Sequence, residues 1–136
     1  MPKHCSLPLR NQSATDADVW QLIALARKGQ LDLAGAEVAF KQSIDLHPAP
    51  AVVTNLGNLY RHTDREQDAM ACYNRAIEAA PSHLPARVNK GRSLLALSKL
   101  EEATTLYTSI LEELPEHINA RIGLAQSLQR SGQTRA

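Results

Sequence analysis

Pro48, Pro81 and Pro115 stand 33 and 34 residues apart, and each closes a helical pattern by removing a backbone donor and restricting the residue before it. Three other series keep the same intervals. Ala36, Ala69 and Ala103 are small; Phe40, Tyr73 and Tyr107 place a large ring four positions later; Ala24, Gly57 and Gly91 are small upstream, and Ala125 continues that series. Internal repetition at such a period means that one supersecondary unit recurs, so the fold is decided by how copies of that unit stack. The reference copy is Val53 to Pro81. The interval of 33 rather than 34 puts the missing residue between Pro48 and Gly57, in a turn between helices, where a deletion is tolerated best.

These markers resemble the tetratricopeptide repeat, a 34-residue unit of two antiparallel helices written W-x2-L-G-x2-Y, then A-x3-F, then P. The middle unit matches as Val53, Leu56, Gly57, Tyr60, Ala69, Tyr73 and Pro81. The first matches as Trp20, Ile23, Ala24, Ala36, Phe40 and Pro48, with Arg27 at the tyrosine position. The third has Gly91, Leu94, Ala103, Tyr107 and Pro115, with Arg87 and Lys90 where apolar residues are usual. The resemblance implies an all-α, right-handed α-solenoid of helix-turn-helix hairpins, with about three repeats and a terminal helix. Its units fall at about 17–49, 50–83 and 84–117, with the terminal helix at 118–131, inside a domain of 16–132. One hairpin cannot bury its own apolar face, so the units are expected to share one continuous core. Small residues at Gly57 and Ala69 let the helices approach, and the Tyr73 ring fills the space they leave.

Residues 1–15 read as a disordered leader, and 133–136 as a tail. Thr15 followed by Asp18 resembles a capping box that starts a helix near Asp16. The leader lacks the apolar run of a secretory signal, and no stretch is apolar enough for a bilayer, so a cytoplasmic location is expected. Cys5 and Cys72 do not make a disulfide framework and are read as free thiols. In the last helix Gln126, Ser127, Gln129 and Arg130 are expected to face outward as a polar cap, with Ile122 off the buried face; the two readings are a three-repeat domain closed by a capping helix and a fragment whose next helix has been cut away.

The family resemblance implies that the first helix of each hairpin lines a concave groove. The groove positions are Asp18, Gln21, Leu25 and Lys28; Thr54, Asn55, Asn58, Arg61 and His62; Val88, Asn89, Arg92 and Leu95; and Ile122, Gln126 and Arg130. A net charge of +1 argues for no partner by itself, but its distribution does. First helices hold Arg27, Lys28, Arg61, Arg87, Lys90, Arg92, Arg121 and Arg130 against Asp16 and Asp18, whereas the second helices are mostly acidic. A groove with this inner layer favours anionic groups. Asn55 and Asn89 share one repeat position, and an amide that both donates and accepts can grip an extended peptide backbone. Such asparagine ladders occur in superhelical members of the family; here Leu22 and Gly123 hold the flanking rungs. The residues expected to bind peptide are Lys28, Asn55, Asn58, Arg61, Asn89, Arg92, Gln126 and Arg130.

Family members that clamp the C-terminal carboxylate of chaperones do so with lysine, asparagine and arginine at positions that here are Gln21, Leu25, Asn55, Pro85 and Asn89. Only Asn55 agrees, so chaperone clamping is not expected. His47, His83 and His117 lie one repeat apart, near the prolines, and no metal or nucleophile motif is present; no catalytic site, metal or cofactor is expected. All five aromatics sit at or next to packing positions, which leaves no stacking platform for a nucleic acid. The expected function is a non-enzymatic scaffold that holds a peptide segment, extended or helical and with some acidic residues. The alternative is the N-terminal, partner-recruiting region of a larger transferase-type enzyme.

Overall fold

The computed structural model of the chain describes residues 12–135, with side chains over 16–132. All described elements are helices: α1 (Gln12–Gly29), α2 (Leu33–Leu46), α3 (Pro50–His62), α4 (Glu66–Ala79), α5 (Leu84–Ala96), α6 (Leu100–Glu113) and α7 (Ile118–Arg135). They form the hairpins α1/α2, α3/α4 and α5/α6, and each second helix packs on the first helix of the next unit, α6 on α7 included. The first helices also touch along the stack, α3 with α5 and α5 with α7.

Helices α2, α4 and α6 stop at Leu46, Ala79 and Glu113, each two residues before its proline. The residue between is pushed out of the helical region, as a following proline requires: His47, Ala80 and Leu114 have φ of −159°, −146° and −132°. Pro50 and Pro85 instead sit in the first turn of α3 and α5, where no backbone donor is needed. Inside each hairpin the turn is made by a left-handed residue, Leu31, Asp64 or Ser98, at φ of 65°, 61° and 61°. The next backbone N–H then reaches back to Arg27, Tyr60 or Leu94, each at 2.8 Å, and so satisfies a carbonyl at the helix end. No glycine marks these turns.

The start of α1 differs from the expected capping box, because the helix already runs through Thr15 from Gln12. The leader up to residue 11, with Cys5, lies outside the described residues. At the other end α7 continues through Gly132 to Arg135 instead of stopping there. The solenoid core also resolves into two clusters rather than one. Phe40, Val53, Leu59 and Tyr73 belong to the first, Leu94, Tyr107 and Ile110 to the second. They meet between α4 and α5, where the buried positions Ala76, Ala86 and Ser93 are small; Met70 of α4 reaches into the second cluster and Ala86 of α5 into the first.

The marker residues pack as the repeat requires. Ala24, Ala36, Ala69, Ala103, Phe40 and Tyr73 are fully buried, and a Cβ on Gly57 would lie 2.7 Å from Tyr73 Cε1. Two departures from the repeat find polar solutions. Arg27, at a tyrosine position, donates from Nη1 to the Gly35 carbonyl at 3.1 Å and ties α1 to α2. Arg87, at an apolar position, grips Glu113 of α6 through both terminal nitrogens at 3.2 and 3.1 Å and donates to Ser109 at 3.3 Å. Those bonds hold the Glu113 carboxyl below the ordinary carboxylate value. Between units one and two, Glu37 accepts from Lys41, Tyr60 and Arg65, while the Arg65 guanidinium lies 4.2 Å above the Tyr60 ring. Burial opposes ionisation of Glu37, but these donors outweigh it and hold its carboxyl low.

Candidate peptide-binding groove

The face lined by α1, α3, α5 and α7 carries a strip of basic side chains. Lys28 ends α1, Arg61 and His62 end α3, and Arg92 lies on α5. Partial burial and the charges of Lys28 and Arg61 hold the His62 imidazole below its ordinary value, so these three groups share one field across α1 and α3. Arg61 and Arg92 in turn both act on the Tyr107 hydroxyl, although burial is stronger and pushes it up. The Arg61 Nε is buried and makes no hydrogen bond. A buried donor of that kind is costly unless something accepts from it.

Further along, two clefts share Arg92. One, of about 280 Å³, includes Val88, Asn89, Arg92 and His117; the other, of about 510 Å³, is lined by Arg92, Leu95, Ala96, Gln126, Gln129 and Arg130. The structure therefore brings Asn89, Arg92, Gln126 and Arg130 together at one end of the face, and Lys28 with Arg61 at the other. Gln129, assigned from sequence to a solvated cap, lines the larger cleft beside Gln126. Ser127, assigned to the same cap, is fully buried: its hydroxyl pairs with that of Thr104 at 2.8 Å and donates to the Leu124 carbonyl. The spacing of a helix explains the difference, because 126 and 129 to 130 share a face that 127 does not.

Three other groove positions behave differently from expectation. Thr54 is buried and its hydroxyl donates to the Pro50 carbonyl at 2.8 Å, so it faces its own helix. Val88 and Leu95 are buried as well and form apolar floor rather than surface. Asn58 is half committed: its side-chain oxygen accepts from the Tyr73 hydroxyl at 2.6 Å, and burial pushes that phenol up to about 12. Asn55 and Asn89 are half-buried, and Asn89 accepts a long bond of 3.5 Å from Arg92. The ladder ends at Asn89 for a steric reason. A Cβ on Gly123 would lie 2.6 Å from Tyr107 Cε2 and closer still to its other ring atoms, so the next rung cannot carry a side chain.

Among the described residues no three of His, Cys, Asp and Glu gather as metal ligands. His117 instead serves the backbone, its Nδ1 accepting from the Ala120 N–H at 3.2 Å. Cys72 is a half-buried free thiol that burial pushes up to about 11. No described helix is long and apolar enough to cross a membrane.

Stacked antiparallel helical hairpins with a shared inner face define an α-solenoid. The sequence model of the tetratricopeptide repeat matches residues 51–83, the unit that served as reference. The first such domain of Spaghetti (RPAP3), solved bound to the HSP90 peptide SRMEEVD, superposes with a TM-score of 0.81 at 25% identity, over 87% of this chain and 94% of that one. The first such domain of human RPAP3 gives 0.80 at 25% identity, over 88% and 95%. Its second domain, in complex with the HSP70 peptide SGPTIEEVD, gives 0.77 at 17% identity, over 85% and 97%. No curated protein matches the chain. The match over residues 51–83 and these superpositions give the chain the fold of tetratricopeptide repeat domains.

Proposed function

We infer that the protein is a non-enzymatic interaction scaffold that holds an acidic peptide segment of a partner protein along its concave face. The observation that carries this reading is the strip of basic side chains Lys28, Arg61, His62 and Arg92 along the first helices. An anionic segment supplies acceptors to these donors, and Asn55 and Asn89 are spaced to meet its backbone. The first Spaghetti (RPAP3) domain and the second human RPAP3 domain were solved with chaperone peptides, which makes SRMEEVD the informative comparator. This chain keeps Asn55 alone of the clamp positions, so a free C-terminal carboxylate contributes little, and amidating that peptide leaves its affinity unchanged.

The test compares partners retained from cell extract, identified by mass spectrometry, for wild type, Asn55→Ala/Asn89→Ala and Arg61→Glu/Arg92→Glu. The charge-reversed variant loses the acidic partners, a drop of about 100-fold or more for two reversed contacts. Retention of every wild-type partner by both variants refutes the groove assignment.

His62 adds a pH signature. Its folded-state value is lowered, so it is neutral near pH 7 and gains charge only as pH falls below the ordinary histidine range. An adjacent anion favours the charged form; affinity for an acidic peptide therefore rises by roughly threefold from pH 7.5 to 5.5, and His62→Gln flattens the profile. Fluorescence anisotropy at fixed ionic strength measures it, and a wild-type profile as flat as the variant's removes His62 from the site.

A further inference from the structure

Three rings occupy one repeat position, Phe40, Tyr73 and Tyr107, and each is buried. The first-helix position that goes with them is Leu25, Asn58 and Arg92 in turn. A polar residue therefore accompanies the two rings that carry a hydroxyl, and leucine the one that does not. In unit two the link is direct, because the Tyr73 hydroxyl donates to Asn58 Oδ1 at 2.6 Å. Burial dominates that phenol and keeps its proton on through the physiological range, while the Arg61 guanidinium beside it pulls the other way. A guanidinium only donates, so the phenol oxygen keeps its lone pairs for Arg61 and sends its proton to Asn58. The amide can then be placed one way only: Oδ1 meets the ring, and no described residue accepts from Nδ2.

We propose, resting on the acidic-peptide reading of this face, that the Tyr73 hydroxyl is a positioning group: it locks Asn58 with both N–H groups presented to the ligand, so that Asn58 and Arg61 form a subsite for a carboxylate side chain of the bound segment. Asn58 and Arg61 stand three positions apart on α3 and so share a face. Both are half-buried, and with the Asn58 oxygen engaged both offer donors only. A carboxylate accepts from the two together and matches the guanidinium in charge, whereas a backbone amide also brings an N–H that finds no acceptor in this pair. Tyr73 itself is 0% exposed, so its hydroxyl acts on a ligand only through Asn58. Unit one lacks the device, because Phe40 has no hydroxyl and Leu25 no amide to turn.

The probes are fluorescein-labelled SRMEEVD and its isostere SRMQQVN, both as C-terminal amides, titrated by anisotropy with the full chain. Wild type prefers the acidic probe by about tenfold. Tyr73→Phe weakens acidic binding by about fivefold and narrows that preference. Its fold is kept, since Phe40 fills the same position in unit one, and circular dichroism verifies this. Asn58→Leu weakens acidic binding to the same degree or more, and adding Tyr73→Phe to it brings no further loss, the signature of a hydroxyl that acts through Asn58. Asn58→Asp still accepts from Tyr73 but sets a carboxylate against the ligand, and lowers acidic binding by about tenfold or more. A preference undiminished by Tyr73→Phe, or losses that add, overturns the positioning role and leaves the acidic-peptide reading standing. Equal binding of both probes by wild type, or no saturable binding of either, overturns that reading and the subsite together.

Discussion

Replacing Tyr107 with alanine lowers stability by about 3–5 kcal/mol, the largest effect expected of any single side chain here. The ring is 1% exposed and lies against Gly91 of α5 and Gly123 of α7, two helices that α6 must hold at once. Neither glycine has a side chain to swing into the hole, and Ala103 and Ala120 nearby are small and already fully buried. A cavity that cannot collapse is the costly kind. Because stability in a stacked array is a sum of neighbour terms, the loss falls on the α6/α7 joint. Urea denaturation followed by fluorescence and by amide exchange checks both parts: a lower midpoint overall, and earlier exchange in α7 than in α3. A cost below about 1 kcal/mol, within the range of ordinary substitutions, removes the ring from this wedging role.

What was readable in the sequence was the set of residues whose size the hairpin dictates. Proline, alanine, glycine and aromatic markers recur because one geometry recurs, and Gly57 against Tyr73 is that geometry at atomic scale. The basic inner layer was readable, since first helices carry the cations. Three features were not readable, each for a physical reason. The left-handed turn residues Leu31, Asp64 and Ser98 have no common chemistry, because a repeat that stacks well absorbs the strain of a non-glycine residue there. Arg87 looks like a gap in an apolar series, and only the position of Glu113 on α6, in a different helix, turns it into a clasp. Thr54 and Ser127 look like surface polar groups, yet each hydroxyl reaches a carbonyl of its own helix and so tolerates burial.

Gly123 joins the fold to the site, and its substitution is the second large effect. Read as a rung of the ladder, it is the place to add an amide after Asn55 and Asn89. Gly123→Asn is nevertheless expected to lower stability by about 1–3 kcal/mol, because the new Cβ collides with a ring buried on every side. Asparagine at this position is not itself hostile to helix, being a better helix former than glycine, so the whole cost is steric. A double-mutant cycle isolates it. In a Tyr107→Ala background the space is open, and Gly123→Asn then costs almost nothing, which gives a coupling of about 1–3 kcal/mol between the two sites. Additive effects would mean that ring and glycine do not meet, and would return Gly123 to the ladder. Coupling would mean that the amide series on this face stops at Asn89 because the same ring that locks α6 to α7 fills the next position, so that the series is limited by packing and not by surface composition.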